Sequence, residues 1–127
     1  MRVFVVRHAE AAPGEPDHLR PLTSAGREAA QRRARDLAAM RIDAVVSSPL
    51  LRARQTAEAI ASATGVRVEV DDRLGPGATA AELCAAVEGR GGSVVTVGHQ
   101  PDCSEIVLEL TGRDVRFEPA GVHEVEL

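Results

Sequence analysis

Lysine, asparagine, tyrosine and tryptophan are absent from this 127-residue chain, and all 15 of its basic residues are arginine. Without lysine there is no Walker-type phosphate loop, no Schiff base and no kinase-type catalytic lysine. The missing residues use AT-rich codons and isoleucine is sparse as well, so the bias points to a GC-rich genome rather than to an adaptation. Aromatic residues make up 2% of the chain and the net charge is −4, which leaves neither stacking rings nor a basic face for nucleic acid. No apolar run is long enough to span a bilayer. The opening residues run from a hydrophobic stretch straight into Arg7-His8, without a basic lead or a small-residue cleavage site. They read as a strand rather than a signal peptide, and the expected location is the cytoplasm. The two cysteines, Cys84 and Cys103, lie in helix-like apolar patterns without metal-ligand spacing and are expected to be reduced packing residues.

What remains is a chain with room for one domain, residues 1–127, built from alternating strands and helices. Arg2 to Arg7 is a β-branched run typical of a buried strand. A polar loop from Glu10 to Pro21 leads to an alanine- and arginine-rich helix from Ser24 to Met40, with a small-residue face. Ile42 to Ser47 is a second strand, and Ser48-Pro49 predicts a capped helix running to Thr64, closed by Gly65. Val66 to Val70 is a third strand. Thr79 with Glu82 forms a capping box for a helix ending near Gly89. Ser93 to Val97, a helix from Pro101 to Thr111 stopped by Gly112, and a strand from His123 to Leu127 complete the chain. This alternation implies a mostly parallel sheet with helices on both faces, an α/β/α sandwich.

Ligands in such sheets bind beyond the carboxyl ends of the strands. Arg7-His8 follows the first strand, Ser47-Ser48-Pro49 with Arg52 the second, and Gly98-His99 the fourth. Three separated segments therefore bring two histidines and two arginines to one edge. A pocket rich in cations and imidazoles, without a paired carboxylate, suits an oxyanion, and phosphate is the common one. Arg52 sits in the first turn of its helix, where the macrodipole disfavours a cation, and its side chain tilts back towards the strand end. By this reasoning alone a phosphate-gripping arginine and a solvated one stand about level. Arg54 points elsewhere and is expected at the surface. His18 and His123 lack such a context and read as surface or edge residues.

Taken in order, these residues match something specific. Arg7-His8-Ala9, Arg20-Pro21-Leu22-Thr23 with Gly26, Ser47-Ser48-Pro49 followed by Arg52-Ala53-Arg54-Gln55-Thr56-Ala57, and Gly98-His99 together resemble the histidine phosphatase superfamily over the whole chain. The nearest likeness is to its small SixA-like branch of phosphohistidine phosphatases. The resemblance implies a phosphoglycerate mutase-like α/β/α sandwich, no metal and no cofactor. It also implies that His8 is the nucleophile and that Arg7, Arg52 and His99 hold the phosphate. Two positions depart from the pattern. Alanine follows His8 where the signature usually has glycine, and the general-acid glutamate of the larger members has no counterpart, since Glu82 is explained by its capping box. Glu10, Asp71 and Asp72 remain as candidate proton donors.

The mechanism these expectations imply is a two-step transfer, in which His8 takes the phosphoryl group and water then releases it. A phosphohistidine substrate eases the missing acid, because imidazole leaves more readily than an alkoxide. The expected partner is a phosphorylated protein. The alternatives are a small phosphomonoester as substrate, or a phosphate-binding regulatory domain without turnover.

Overall fold

The computed structural model describes all residues from Met1 to Leu127. Five strands form one sheet in the order β3-β2-β4-β1-β5: β1 Arg2–Arg7, β2 Ala44–Ser47, β3 Val68–Val70, β4 Ser93–Gly98 and β5 Val122–Glu126. The first four are mutually parallel, and β5 runs antiparallel along β1. Four α-helices cross between them: α1 Ser24–Ala38, α2 Leu51–Thr64, α3 Ala80–Val87 and α4 Asp102–Thr111. Short 3₁₀ turns occupy Asp17–Leu19 and Asp72–Leu74.

Side chains alternate across a strand, so each β-strand serves two cores. Val3, Val5, Val46 and Val94 pack with Leu83, Val87, Ile106 and Val107 of α3 and α4. Their neighbours Phe4, Val6, Val45 and Val95 pack on the other side with Ala34, Leu37, Ala57 and Ile60 of α1 and α2. The result is the three-layer sandwich expected from the alternation. Near-continuous apolar runs in β1 and β4 follow from burial on both faces.

Most elements match their expected extents within two residues. The capping box of Thr79 and Glu82 is present, and Gly65 and Gly112 end α2 and α4 in the left-handed conformation. One helix start differs. Pro49 and Leu50 precede α2 in a bend, with Leu50 in the extended conformation, so the helix opens at Leu51 with no side-chain cap, and the hydroxyl of Ser48 is engaged elsewhere. Met40, expected to be the last residue of the first helix, lies beyond its end and is 43% exposed. No helix is long and apolar enough to cross a membrane.

Register fixes the edge at which chemistry can gather. Arg7 pairs with Gly98 across β1 and β4, and Ser47 pairs with Val97 and Val70. Backbone bonds continue one step past the strands, from His8 N–H to the Gly98 carbonyl at 2.9 Å and from Ser48 N–H to the Val97 carbonyl at 3.0 Å. His8, Ser48 and His99 therefore leave the sheet at the same level.

Candidate active site

The two histidines meet. Their rings are 5.2 Å apart between centroids and inclined by 57°. His8 Nδ1 lies 2.7 Å from the carbonyl oxygen of Ala9. A carbonyl only accepts, so Nδ1 carries the proton and Nε2 keeps its lone pair. Burial lowers the proton affinity of His8, and the charges of Arg52, Arg7 and Arg20 lower it further, against the opposing effect of the Ala9 carbonyl. The ring is thus held neutral, the state a nucleophile needs.

His99 is 5% exposed and its Nε2 lies 2.7 Å from Ser48 Oγ, which also accepts the Leu50 N–H at 3.2 Å. Burial, followed by the neighbouring His8 and Arg52, depresses the pKa of His99 to about 4. Ser48 is therefore a partner of the second histidine rather than a helix cap. Sequence reasoning had no means of seeing this, because Ser-Pro is locally a cap signal and the partner lies 51 residues away.

Arg7 and Arg52 flank the pair. Arg7 donates from Nη1 to the Phe117 carbonyl at 2.9 Å, while its Nε is enclosed and has no partner. A buried guanidinium donor without an acceptor is costly, and a bound anion would satisfy it. Arg52 is buried, so the solvated reading of its sequence position does not hold. Its Nη1 donates to the Asp17 carbonyl at 3.0 Å and its Nη2 to Asp17 Oδ2 at 3.3 Å. Asp17 also accepts from Arg20 Nη1 at 3.0 Å, and Arg20, with Arg52 beside it, holds the carboxylate below its usual range. No pattern in the polar loop singled out Asp17.

The local scaffold explains the alanine after His8. Ala9 is fully buried in a small cluster with Leu22, Ala30 and Ala120, and its N–H is held by Thr56 Oγ1 at 3.0 Å. Its methyl group is packed, not merely tolerated. The loop before β5 braces the site from the far side: Arg7 N–H reaches the Gly121 carbonyl and Ala120 N–H reaches the His8 carbonyl. Ala120 adopts a left-handed φ of 63°, a strained conformation for a residue with a Cβ, and Arg33 of α1 holds its carbonyl at 2.7 Å.

The three carboxylates considered as proton donors lie as follows. Glu10 is exposed and accepts Thr23 Oγ1 at 2.7 Å. Asp71 is bound by Arg73, whose bonds lower its pKa, the wrong direction for an acid. Asp72 is exposed on the second 3₁₀ turn. Arg54, expected at the surface, is half-buried with an enclosed, unpartnered Nε. His18 is exposed, and His123 lies on the edge strand as expected. No group of three or more metal-ligating side chains is assembled. The largest cavity, about 450 Å³, lies apart from the histidines, between α1 and α2, where Gln31, Gln55 and Glu58 line it.

Comparison with known proteins finds relatives of this chain in sequence and in fold. The model of the histidine phosphatase superfamily (branch 1) matches residues 3–75, a span that holds Arg7, His8 and Arg52 and stops short of His99. An uncharacterized protein of Picosynechococcus is 33% identical over 136 residues, covering 96% of this chain and 82% of the relative. The protein histidine phosphatase SixA, solved in complex with tungstate, aligns with all of this chain and 88% of its own, at a TM-score of 0.89 and 31% identity. A SixA structure from Agrobacterium tumefaciens gives 0.83 and 30%, over 97% of this chain and 89% of its own. A mycobacterial glucosyl-3-phosphoglycerate phosphatase shares the fold at a TM-score of 0.75 and 20% identity, over 98% of this chain and 90% of its own.

Proposed function

The chain belongs to the histidine phosphatase superfamily, in its SixA-like branch, and we propose on that premise that it hydrolyses phosphohistidine carried by a protein, with His8 as the nucleophile. The observation that carries this reading is the fixed tautomer of His8. With Nδ1 bound to the Ala9 carbonyl, Nε2 is free to attack phosphorus. Arg7 and Arg52 spread the charge on the equatorial oxygens, and neutral His99, oriented by Ser48, adds a hydrogen-bond donor. Water then attacks the phosphohistidine enzyme and returns His8 to its starting state. The tungstate bound by the SixA relative, an oxyanion like phosphate, fits such a pocket.

Carboxylate chemistry supports a P–N substrate. Asp17, the carboxylate that touches Arg52, is held ionised and has no proton to give to an alkoxide. Imidazole needs less help than an alkoxide, because a ring protonated on its far nitrogen leaves as a neutral molecule. Phosphomonoesters with poor leaving groups are expected to turn over slowly.

The test is a comparison of purified protein on a phosphohistidine-bearing protein and on a panel of sugar and nucleotide monophosphates, followed by acid-labile trapping of labelled phosphate. Faster turnover of the phosphohistidine substrate, with label on His8, is expected. Label recovered on a serine, or preference for a sugar phosphate, would overturn the nucleophile or the substrate respectively.

A further inference from the structure

The two arginines of the site differ in one respect that the reaction does not require. Arg7 keeps an empty, enclosed donor, whereas Arg52 already has Asp17 against its fork, the backbone carbonyl on Nη1 and a carboxylate oxygen on Nη2. We propose that Asp17 competes with the ligand of this site: in the unliganded protein its carboxylate occupies the Nη2 arm of the Arg52 fork, and a phosphoryl group must displace it to bind both arms. The proposal rests on the reading of Arg52 as a phosphate ligand.

The geometry allows the exchange in one direction only. Arg52 is 10% exposed in its side chain and fixed on α2, so it cannot follow a departing partner. Asp17 is 62% exposed and belongs to a 3₁₀ turn with no buried residue, so its side chain can swing into water. Arg20 offers the displaced carboxylate a second home. It holds Asp17 Oδ1 at 3.0 Å while its Nε is anchored on the Ala12 carbonyl at 2.8 Å. The Asp17 backbone carbonyl also accepts from Arg52 Nη1, which keeps the turn docked when the side chain leaves. Phosphate at neutral pH presents more charge than a carboxylate and takes the bidentate fork. The resident carboxylate therefore lowers the apparent affinity for every phosphoryl ligand and, after hydrolysis, reclaims the fork from the product.

Inorganic phosphate binding by calorimetry tests this on the full chain, compared among wild type, Asp17→Asn, Asp17→Ala and Glu15→Gln. The Asp17–Arg52 contact is partly exposed, so releasing it is expected to tighten phosphate binding about two- to fivefold in both Asp17 variants. Glu15→Gln removes one negative charge two residues away without touching Arg52, and is expected to bind phosphate like wild type. Damage to the site weakens binding, so a gain of affinity is a result that a structural role for Asp17 does not produce. Unchanged or weaker binding in both Asp17 variants, or equal tightening in Glu15→Gln, would overturn the proposal. Turnover of phosphohistidine is measured on the same proteins. Its absence in wild type would sink the hydrolase reading while leaving the affinity comparison to decide the role of Asp17.

Discussion

His8 carries the sharpest prediction at the scale of single residues. His8→Ala removes a half-buried side chain at a strand end, so turnover is expected to vanish while the melting temperature moves little. Arg52→Lys keeps the charge but loses the planar fork, and kcat/KM is expected to fall roughly a hundredfold to a thousandfold, the usual effect of losing one preorganised charge-stabilising contact. Full activity in Arg52→Lys would leave the fork without a purpose. His99 adds a pH dependence with a defined sign. Its pKa falls from 6.5 to about 4 on folding, so between those values the unfolded chain takes up a proton that the folded one refuses. Stability is expected to be complete above pH 6.5, to decline as pH falls to about 4, and to decline less in His99→Gln. Melting curves across that window check it. Arg7, His8, Arg52 and His99 were legible in the sequence because each stands just beyond a β-branched apolar run or in the first turn of the helix that follows one. Ser48 and Asp17 were not, because their partners lie 51 and 35 residues away and nothing local marks the pairing.

Elements set the frame in which those residues meet, and here the sequence was read more fully. The apolar periods of β1 and β4, the capping box of α3 and the glycine stops of α2 and α4 each rest on local physics, and each appears where that physics puts it. The start of α2 was misread because Ser48 answers to His99 rather than to its own helix. Gly26 belongs to the same scale. A Cβ there would lie 2.1 Å from the Glu10 carbonyl oxygen, so only glycine lets α1 pack against the chain leaving His8. Gly26→Ala is expected to cost about 1–3 kcal/mol and to lower activity with it, because the loop it displaces carries Ala9 and Glu10. Thr79→Ala is expected to cost about 1 kcal/mol through the lost cap and to leave kcat/KM unchanged. Thermal unfolding together with a phosphatase assay separates the two.

For the molecule as a whole, the strand order β3-β2-β4-β1-β5 was the part hardest to read in advance, since alternation implies a parallel sheet without saying which strands are neighbours. Within that order β5 lies antiparallel on the outer edge of β1, and the loop that leads into it braces Arg7 and His8. EDTA is expected to leave activity intact, because the proposed chemistry uses arginines and imidazoles to balance charge; inhibition reversed by a divalent cation would contradict it. The placement of β1 has a further consequence in time. It is synthesised before the other four strands of the sheet, yet both of its edges are filled by late ones, residues 93–98 on one side and 122–126 on the other. Until those segments have left the ribosome, a strongly apolar strand stays unpaired and open to association with other nascent chains. Recovery of activity on refolding should therefore coincide with the final, global step, because no early fragment holds both the nucleophile and its braces.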